Sequence, residues 1–89
     1  MTVLKRHHAP GMPAEAYDQI VTPEFQATQR NADGFVAHYA VVEDGGLTVV
    51  EIWESVDTHD AWFDDAVRPL LPPGTPEPTF VDLLASNTK

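Results

Sequence analysis

The chain contains no cysteine, which excludes disulfide bonds and thiolate metal sites as sources of stability. It is also poor in basic residues: five Lys and Arg stand against fourteen Asp and Glu, and the net charge is −9. Such a chain repels a phosphate backbone and an anionic bilayer, so we expect neither nucleic acid nor a membrane as partner. Because it lacks both a membrane-length apolar run and a signal peptide, we expect a cytoplasmic protein.

The 89 residues, 43% of them hydrophobic, predict one globular domain over residues 1–89. A domain of this size buries roughly 60–65% of its unfolded surface and is marginally stable alone. No disulfide or thiolate site supplements that stability, so we expect additional burial through self-association.

Hydrophobic periodicity predicts the element order β-α-β-β-α-β. The predicted strands cover residues 2–8, 35–43, 47–55 and 79–85, and the predicted helices begin at Pro13 and Ser55. Pro23 should interrupt the first helix, with Thr22 as a new N-cap, and residues 44–46 (DGG) predict a hairpin turn. This order is typical of the α+β ferredoxin-like fold, in which a four-stranded antiparallel sheet carries its helices on one face.

Both faces of the predicted hairpin, residues 35–55, are largely apolar. The helices cover one face only, and the chain encodes no cover for the other. The simplest cover is a second copy of the chain. We therefore expect a homodimer, a dimeric α/β barrel whose sheets meet face to face around an enclosed cavity.

The hairpin also carries three residues that are candidates for that cavity. A carboxylate buried under the helices would be costly without a partner, so Glu51 is predicted to lie on the open face together with Trp53. Val50 and Ile52 then lie under the helices. A two-residue hairpin loop places His38 on the face of Glu51, whereas a three-residue loop reverses this parity; the two-residue loop is preferred because it gives the more apolar helix face.

The outer strands extend the candidate set. On the last strand, Phe80 and Asp82 are predicted to face outward, while Val81 packs on the helices. His7 and His8 of the first strand point to opposite faces, so one site cannot use both. His7 is a further candidate for ligand binding. No ligand spacing indicates a metal site, and no motif indicates a nucleotide or flavin, so no cofactor is expected.

Four segments resemble the dimeric α/β-barrel superfamily, and within it the small antibiotic-biosynthesis-monooxygenase-like (ABM-like) proteins. They are "PGMPAEAYDQIV" at 10–21, "GFVAHYAV" at 34–41, "VVEIWES" at 49–55 and "AWFDDAVRPLL" at 61–71. The resemblance implies homodimers with ligand pockets between sheet and helices or inside the barrel. Its haem-degrading branch typically uses an Asn on the first strand and a His late in the second helix. This chain has neither, because its first strand carries His7 and His8 and its helical His59 lies in the first turn.

The functional prediction is a cofactor-independent monooxygenase acting on a small aromatic, phenolic metabolite. Such chemistry needs a base, an apolar enclosure and donors for a developing oxyanion. His38 is the candidate base, since imidazole titrates near neutral pH. Glu51 or Asp82 would orient it, or would act as the base if burial raised the carboxyl pKa. Trp53 and Phe80 are the candidates for stacking on the substrate ring.

The alternative prediction is a non-catalytic small-ligand-binding or stress-associated dimer. In that interpretation His38 is a hydrogen-bonded sheet residue, Glu51 pairs with Lys5 or Arg6, and Trp53 fills the dimer core. A further set of residues on the second helix is interpreted as a helix–sheet core stripe: His59, Trp62 and Phe63.

Overall fold

The computed structural model describes residues 1–89. Its elements are β1 (Val3–Pro10), α1 (Ala14–Ile20), α2 (Pro23–Arg30), β2 (Phe35–Glu43), β3 (Gly46–Trp53), α3 (Val56–Ala66), a 3₁₀ turn (Arg68–Leu70) and β4 (Thr79–Asp82). The four strands form one antiparallel sheet in the order β2-β3-β1-β4. The predicted α+β ferredoxin-like fold is confirmed. No helix has the length and apolar character needed to cross a bilayer.

The helix boundaries follow local capping chemistry. The first predicted helix divides into α1 and α2, because Pro23 has no N–H to donate and the Thr22 hydroxyl accepts the N–H of Phe25 at 3.2 Å. Ser55 caps α3 in the same way, accepting the N–H of Thr58 at 3.1 Å. The loop before β2 approaches this cap closely: Gly34 has φ +82°, and a Cβ there would lie 2.4 Å from the Thr58 hydroxyl.

The β2–β3 hairpin closes with the predicted two-residue loop. Asp44 and Gly45 both have positive φ, at 50° and 71°, as a type I′ turn requires, and Glu43 pairs with Gly46. This register places His38 directly opposite Glu51. Near the start of β2 the register shifts, so that one extra residue, Val36, forms a bulge.

The predicted assignment of the two sheet faces is wrong for the hairpin. Glu51 and Trp53 lie under the helices, at 2% and 0% exposure, and His38 faces the same side because its ring bonds to Tyr17 of α1. Val50 and Ile52, which were predicted to lie there, occupy the open face instead, beside Ala37, Tyr39 and Val41 of β2. The prediction failed because it treated Glu51 as a carboxylate without partners, whereas the fold supplies them.

The assignment for the last strand is also wrong. Phe80 was predicted to face outward, but its ring packs edge-on against His59 of α3, with centroids 4.8 Å apart. Val81, predicted to pack on the helices, is 62% exposed on the open face. The register explains both, since Phe80 pairs with Lys5 and Val81 with Leu4 across the sheet.

The hydrophobic core lies between α3 and the sheet. Trp53, Phe63 and Val3 are buried, Trp62 nearly so, and the Trp53 and Trp62 rings approach to 5.3 Å. The predicted core stripe of α3 is confirmed, because its buried residues are His59, Trp62 and Phe63. Trp53 therefore fills the core of the protomer, contrary to the interpretation that it fills a dimer core.

Candidate functional site

A row of side chains crosses the helix-facing side of the sheet, one from each strand. In register order the row is His38 of β2, Glu51 of β3, Lys5 of β1 and Phe80 of β4. Side chains directly opposite one another in an antiparallel sheet are close enough to interact. The predicted cross-strand pair of Glu51 with a basic residue is present: Lys5 Nζ lies 3.3 Å from Glu51 Oε1, and both side chains are almost fully buried.

Glu51 is the centre of this row and accepts four hydrogen bonds. Its Oε1 accepts from Lys5 Nζ at 3.3 Å and from the Trp53 indole N–H at 2.9 Å. Its Oε2 accepts from the Gln29 amide at 2.8 Å and from His38 Nδ1 at 2.6 Å. An ionised carboxylate offers about four lone-pair sites. Every acceptor position of Glu51 is therefore occupied by a donor from this chain.

These donors set the charge of Glu51. Burial is the largest single influence and by itself raises the pKa of Glu51. The hydrogen bonds from His38 and Trp53 and the charges of Lys5 and His38 outweigh it and lower the pKa to about 2. Glu51 is thus a carboxylate at neutral pH, and its pKa moves in the direction opposite to the one that the base hypothesis required. What this carboxylate does in the present geometry is orient the imidazole of His38.

The proton positions on His38 follow from its two partners. Ionised Glu51 is an acceptor only, so His38 Nδ1 carries a proton. Nε2 lies 2.7 Å from the hydroxyl of Tyr17. Burial, and then the nearby charges of Glu51 and Asp18, raise the pKa of Tyr17, so this hydroxyl remains protonated, and it donates to Nε2 when the imidazole is neutral. A chain of hydrogen bonds therefore runs from Tyr17 through His38 to Glu51.

This Tyr17–His38–Glu51 hydrogen-bond chain lies in the wall of a cavity of about 620 Å³ between the sheet and the α1–α2 segment. The sheet contributes four polar side chains to the floor, His38, Glu51, Lys5 and His7, together with apolar residues of β1 and β3. The remaining walls are mainly apolar and come from α1, α2, the end of α3 and the proline-rich loop 72–76. An apolar cavity with a few convergent polar groups is typical of small-molecule sites.

His7 closes the other end of the cavity floor. Its Nε2 lies 2.6 Å from the carbonyl oxygen of Pro76 and donates to it, and its ring meets Phe63 edge-on at 5.9 Å. Burial is the main cause of the lowered pKa of His7. His8 lies on the opposite face, where Nδ1 bonds to the Thr48 hydroxyl at 2.8 Å. The prediction that one site cannot use both histidines agrees with this geometry.

The structure brings together only part of the predicted residue set. His38, Glu51 and His7 line one cavity. Trp53 and Phe80 belong to the α3 core, so they do not line it. Asp82 is exposed on β4, at the far edge of the sheet from His38, and pairs with Val3 in the row of Trp53.

No family model matches the chain, and no curated protein matches it. Several chains of solved structures do, including the following two. The heme-degrading protein Rv3592 from Mycobacterium tuberculosis, heme free and cleaved, superposes with a TM-score of 0.63 and 19% identity over 99% of this chain and 100% of that one. The heme-degrader MhuD (Rv3592) of the same organism, with two hemes in its active site, gives 0.53 and 18% over the same shares. At this level of identity the likeness shows that the chain shares the fold of these structures.

Sequence reasoning missed two residues of the site. Tyr17 and Gln29 come from the α1–α2 segment, whereas Lys5 of β1 was already a predicted partner of Glu51. Tyr17 lies in the first predicted helix, and a tyrosine at helical spacing gives no sign of a polar role. The available signal was Gln29, a polar side chain near the C-terminal end of α2. A carboxylate under the helices requires hydrogen-bond donors, and Gln29 is one that the helices can supply.

Proposed function

We propose that this cavity is the active site of a cofactor-independent monooxygenase that acts on a small phenolic or hydroquinone substrate. The observation that carries the proposal is the Tyr17–His38–Glu51 hydrogen-bond chain in the wall of an otherwise mainly apolar cavity. The ABM-like fold supports it, since the resemblance found in the sequence implies oxygenase chemistry for part of that superfamily. His38 is the proposed base, and Glu51 is the proposed orienting group.

The proposed reaction begins with transfer of the substrate hydroxyl proton to Nε2 of His38. Glu51 stabilises the resulting imidazolium through Nδ1. The phenolate then gives an electron to O₂, and the substrate radical and superoxide combine to form a C–O bond. The resulting peroxide takes the proton back from His38, and water then leaves with that proton and the hydrogen of the attacked ring carbon, so phenol and O₂ become quinone and water. The apolar walls keep bulk water from competing for the proton.

Haem, the ligand of the structural relative, does not fit the residues of this cavity. Nε2 of His7 donates to a backbone carbonyl, and His59 is fully buried among the core rings that pack on α3. The one cationic side chain on the floor, Lys5, is already paired with Glu51, so it is not free for the anionic propionates of haem. The proposal therefore includes no haem step.

The proposed assembly is a homodimer through the open face of the sheet. That face exposes apolar side chains in the single chain: Tyr39 is 57% exposed, Val41 44% and Val81 62%. Exposed apolar surface of this kind on a sheet is typical of an interface. A second copy placed there would cover it without reaching the cavity, which lies on the helix side.

Oxygen uptake tests the proposed reaction directly. With 1,4-dihydroxynaphthalene as substrate, the wild-type protein should consume O₂ faster than buffer, and His38→Gln should lower that protein-dependent rate by at least about 100-fold because the base is lost. His8→Gln makes the same change on the opposite face and should keep the rate. Sedimentation velocity on all three proteins checks that the assembly is unchanged. Equal rates for the wild type and His38→Gln would reject His38 as the base.

Non-catalytic binding is the second candidate, and one observation favours it. Both nitrogens of His38 and all acceptor positions of Glu51 already have partners inside the chain. A site prepared for binding alone has no need of a free base. Under this candidate 1,4-dihydroxynaphthalene binds in the cavity, while oxygen uptake does not exceed the buffer rate.

A further inference from the structure

Tyr17 occupies the position that a phenolic substrate would need. Its hydroxyl lies 2.7 Å from Nε2 of His38, and the two rings are 6.0 Å apart at an angle of 31°. The Tyr17 side chain is itself a phenol. The cavity therefore already presents, in the ligand-free chain, a phenol hydrogen-bonded to the imidazole through which the proposed base acts.

The helix that carries Tyr17 is weakly attached. α1 has seven residues, none of them buried, and its N-cap Pro13 makes no side-chain capping bond. Tyr17–His38 is the one side-chain hydrogen bond between α1 and the sheet. On the inner side of α1, Ala16 and Ile20 line the cavity and leave its volume open. Withdrawal of Tyr17 therefore breaks one hydrogen bond and exposes no core residue.

We propose that Tyr17 is a specificity-determining residue that an incoming phenolic ligand displaces from Nε2 of His38. This inference rests on the proposed function in that it assigns the ligand class of the same cavity. A phenolic hydroxyl replaces the lost hydrogen bond with one of the same kind. An aromatic ring without a hydroxyl that took the place of Tyr17 would leave Nε2 unpaired inside an apolar cavity, so such a ligand does not displace Tyr17 and gains no bond to His38.

Binding of p-cresol, with toluene as its hydroxyl-free counterpart, tests the displacement. Isothermal titration measures both affinities, and ¹⁵N NMR of the His38 ring reports whether Nε2 exchanges its hydrogen-bond partner. In the wild type we expect p-cresol to bind at least about tenfold more tightly than toluene, the value of one net hydrogen bond. Tyr17→Phe removes the competing hydroxyl and keeps the ring, so the affinity for p-cresol should rise about tenfold.

Tyr39→Phe is the matched control, since it makes the same change on the open face and should bind p-cresol as the wild type does. Tyr17→Leu is a second variant, which should also bind p-cresol more tightly than the wild type. Unchanged or weaker p-cresol binding by both Tyr17 variants would overturn the proposal, as would equal wild-type affinities for p-cresol and toluene. Tighter binding without oxygen uptake would support displacement while rejecting the oxygenase, so the two failures are distinguishable.

Discussion

The helix-facing side of the sheet has two halves that the same strands build in different ways. Under α3, three buried residues of an eleven-residue helix pack on Trp53 and Phe80. Under α1, a seven-residue helix buries nothing, and a cavity of about 620 Å³ remains above His38 and Glu51. One half is a packed aromatic core, and the other is a polar row with space above it.

The difference shows how a small domain holds an open site. Packing is concentrated under α3, where neighbouring rings have centroids 4.8–5.4 Å apart. These rings belong to Trp53, His59, Trp62, Phe63 and Phe80. The two halves meet at Trp53, because its ring is part of the core and its indole N–H donates to Glu51. The rigid half thus fixes the carboxylate that orients His38 in the open half.

The largest expected effect on stability comes from removing a buried ring from the packed half. Phe63→Ala removes a ring that is 1% exposed, and it should lower the free energy of unfolding by about 4 kcal/mol through lost burial and a residual cavity. Tyr17→Ala removes a ring of similar size from the open half and should cost only about 1 kcal/mol. Urea unfolding of both variants measures the contrast. Similar losses for the two would show that α1 is packed as firmly as α3.

The next effect concerns the boundary between the halves. Glu51→Leu leaves Lys5 buried without a counter-charge and should cost about 3–5 kcal/mol. The double variant Lys5→Met with Glu51→Leu removes both charges and should recover most of that loss. Urea unfolding of the two single variants and the double variant gives the coupling. Additive losses would contradict a direct Lys5–Glu51 interaction.

Acid titration examines the same carboxylate. The pKa of Glu51 is lowered from 4.5 to about 2 in the fold, so its stabilisation is present above pH 4.5 and is lost as the pH falls to about 2. The loss amounts to about 3 kcal/mol, since one pKa unit corresponds to about 1.4 kcal/mol. Glu51→Leu should show a flatter stability curve over this range.

The smallest effect is expected near neutral pH and comes from His59. Its ring is fully buried, Nε2 has no hydrogen-bond partner, and burial is the main cause of its lowered pKa. The unfolded chain therefore takes up a proton before the folded one, so stability decreases as the pH falls below 6.5, by less than about 1.4 kcal/mol per pH unit. His59→Phe should reduce that slope between pH 8 and pH 5.5. An unchanged slope in His59→Phe would assign the pH dependence of stability to His7, whose pKa is also lowered mainly by burial.

Much of the architecture could be predicted from local sequence signals. The Thr22–Pro23 break, the Asp44–Gly45 turn and the pairing of His38 with Glu51 depend on backbone rules that act over a few residues. The choice of sheet face could not be predicted in this way. It depends on Lys5 and Gln29, which are 46 and 22 residues from Glu51 and become its partners only in the folded chain.

The candidate site was predictable to the same extent and no further. His38, Glu51 and His7 were found because polar groups in apolar strands are conspicuous. Tyr17 was missed because a tyrosine at helical spacing has the same pattern whether it packs in a core or, as here, bonds to a histidine across a cavity.

The bulge at Val36 allows β2 to contribute a side chain to each half of the helix-facing side. Strict alternation would send residues 35 and 38 to opposite sides, yet Phe35 meets Trp53 at 5.4 Å while His38 meets Glu51. One inserted residue therefore lets β2 place the Phe35 ring and the His38 imidazole on the same side of the sheet. In a search for chains with this arrangement, the informative spacing is an aromatic residue followed three positions later by histidine, an odd interval that a regular strand would forbid.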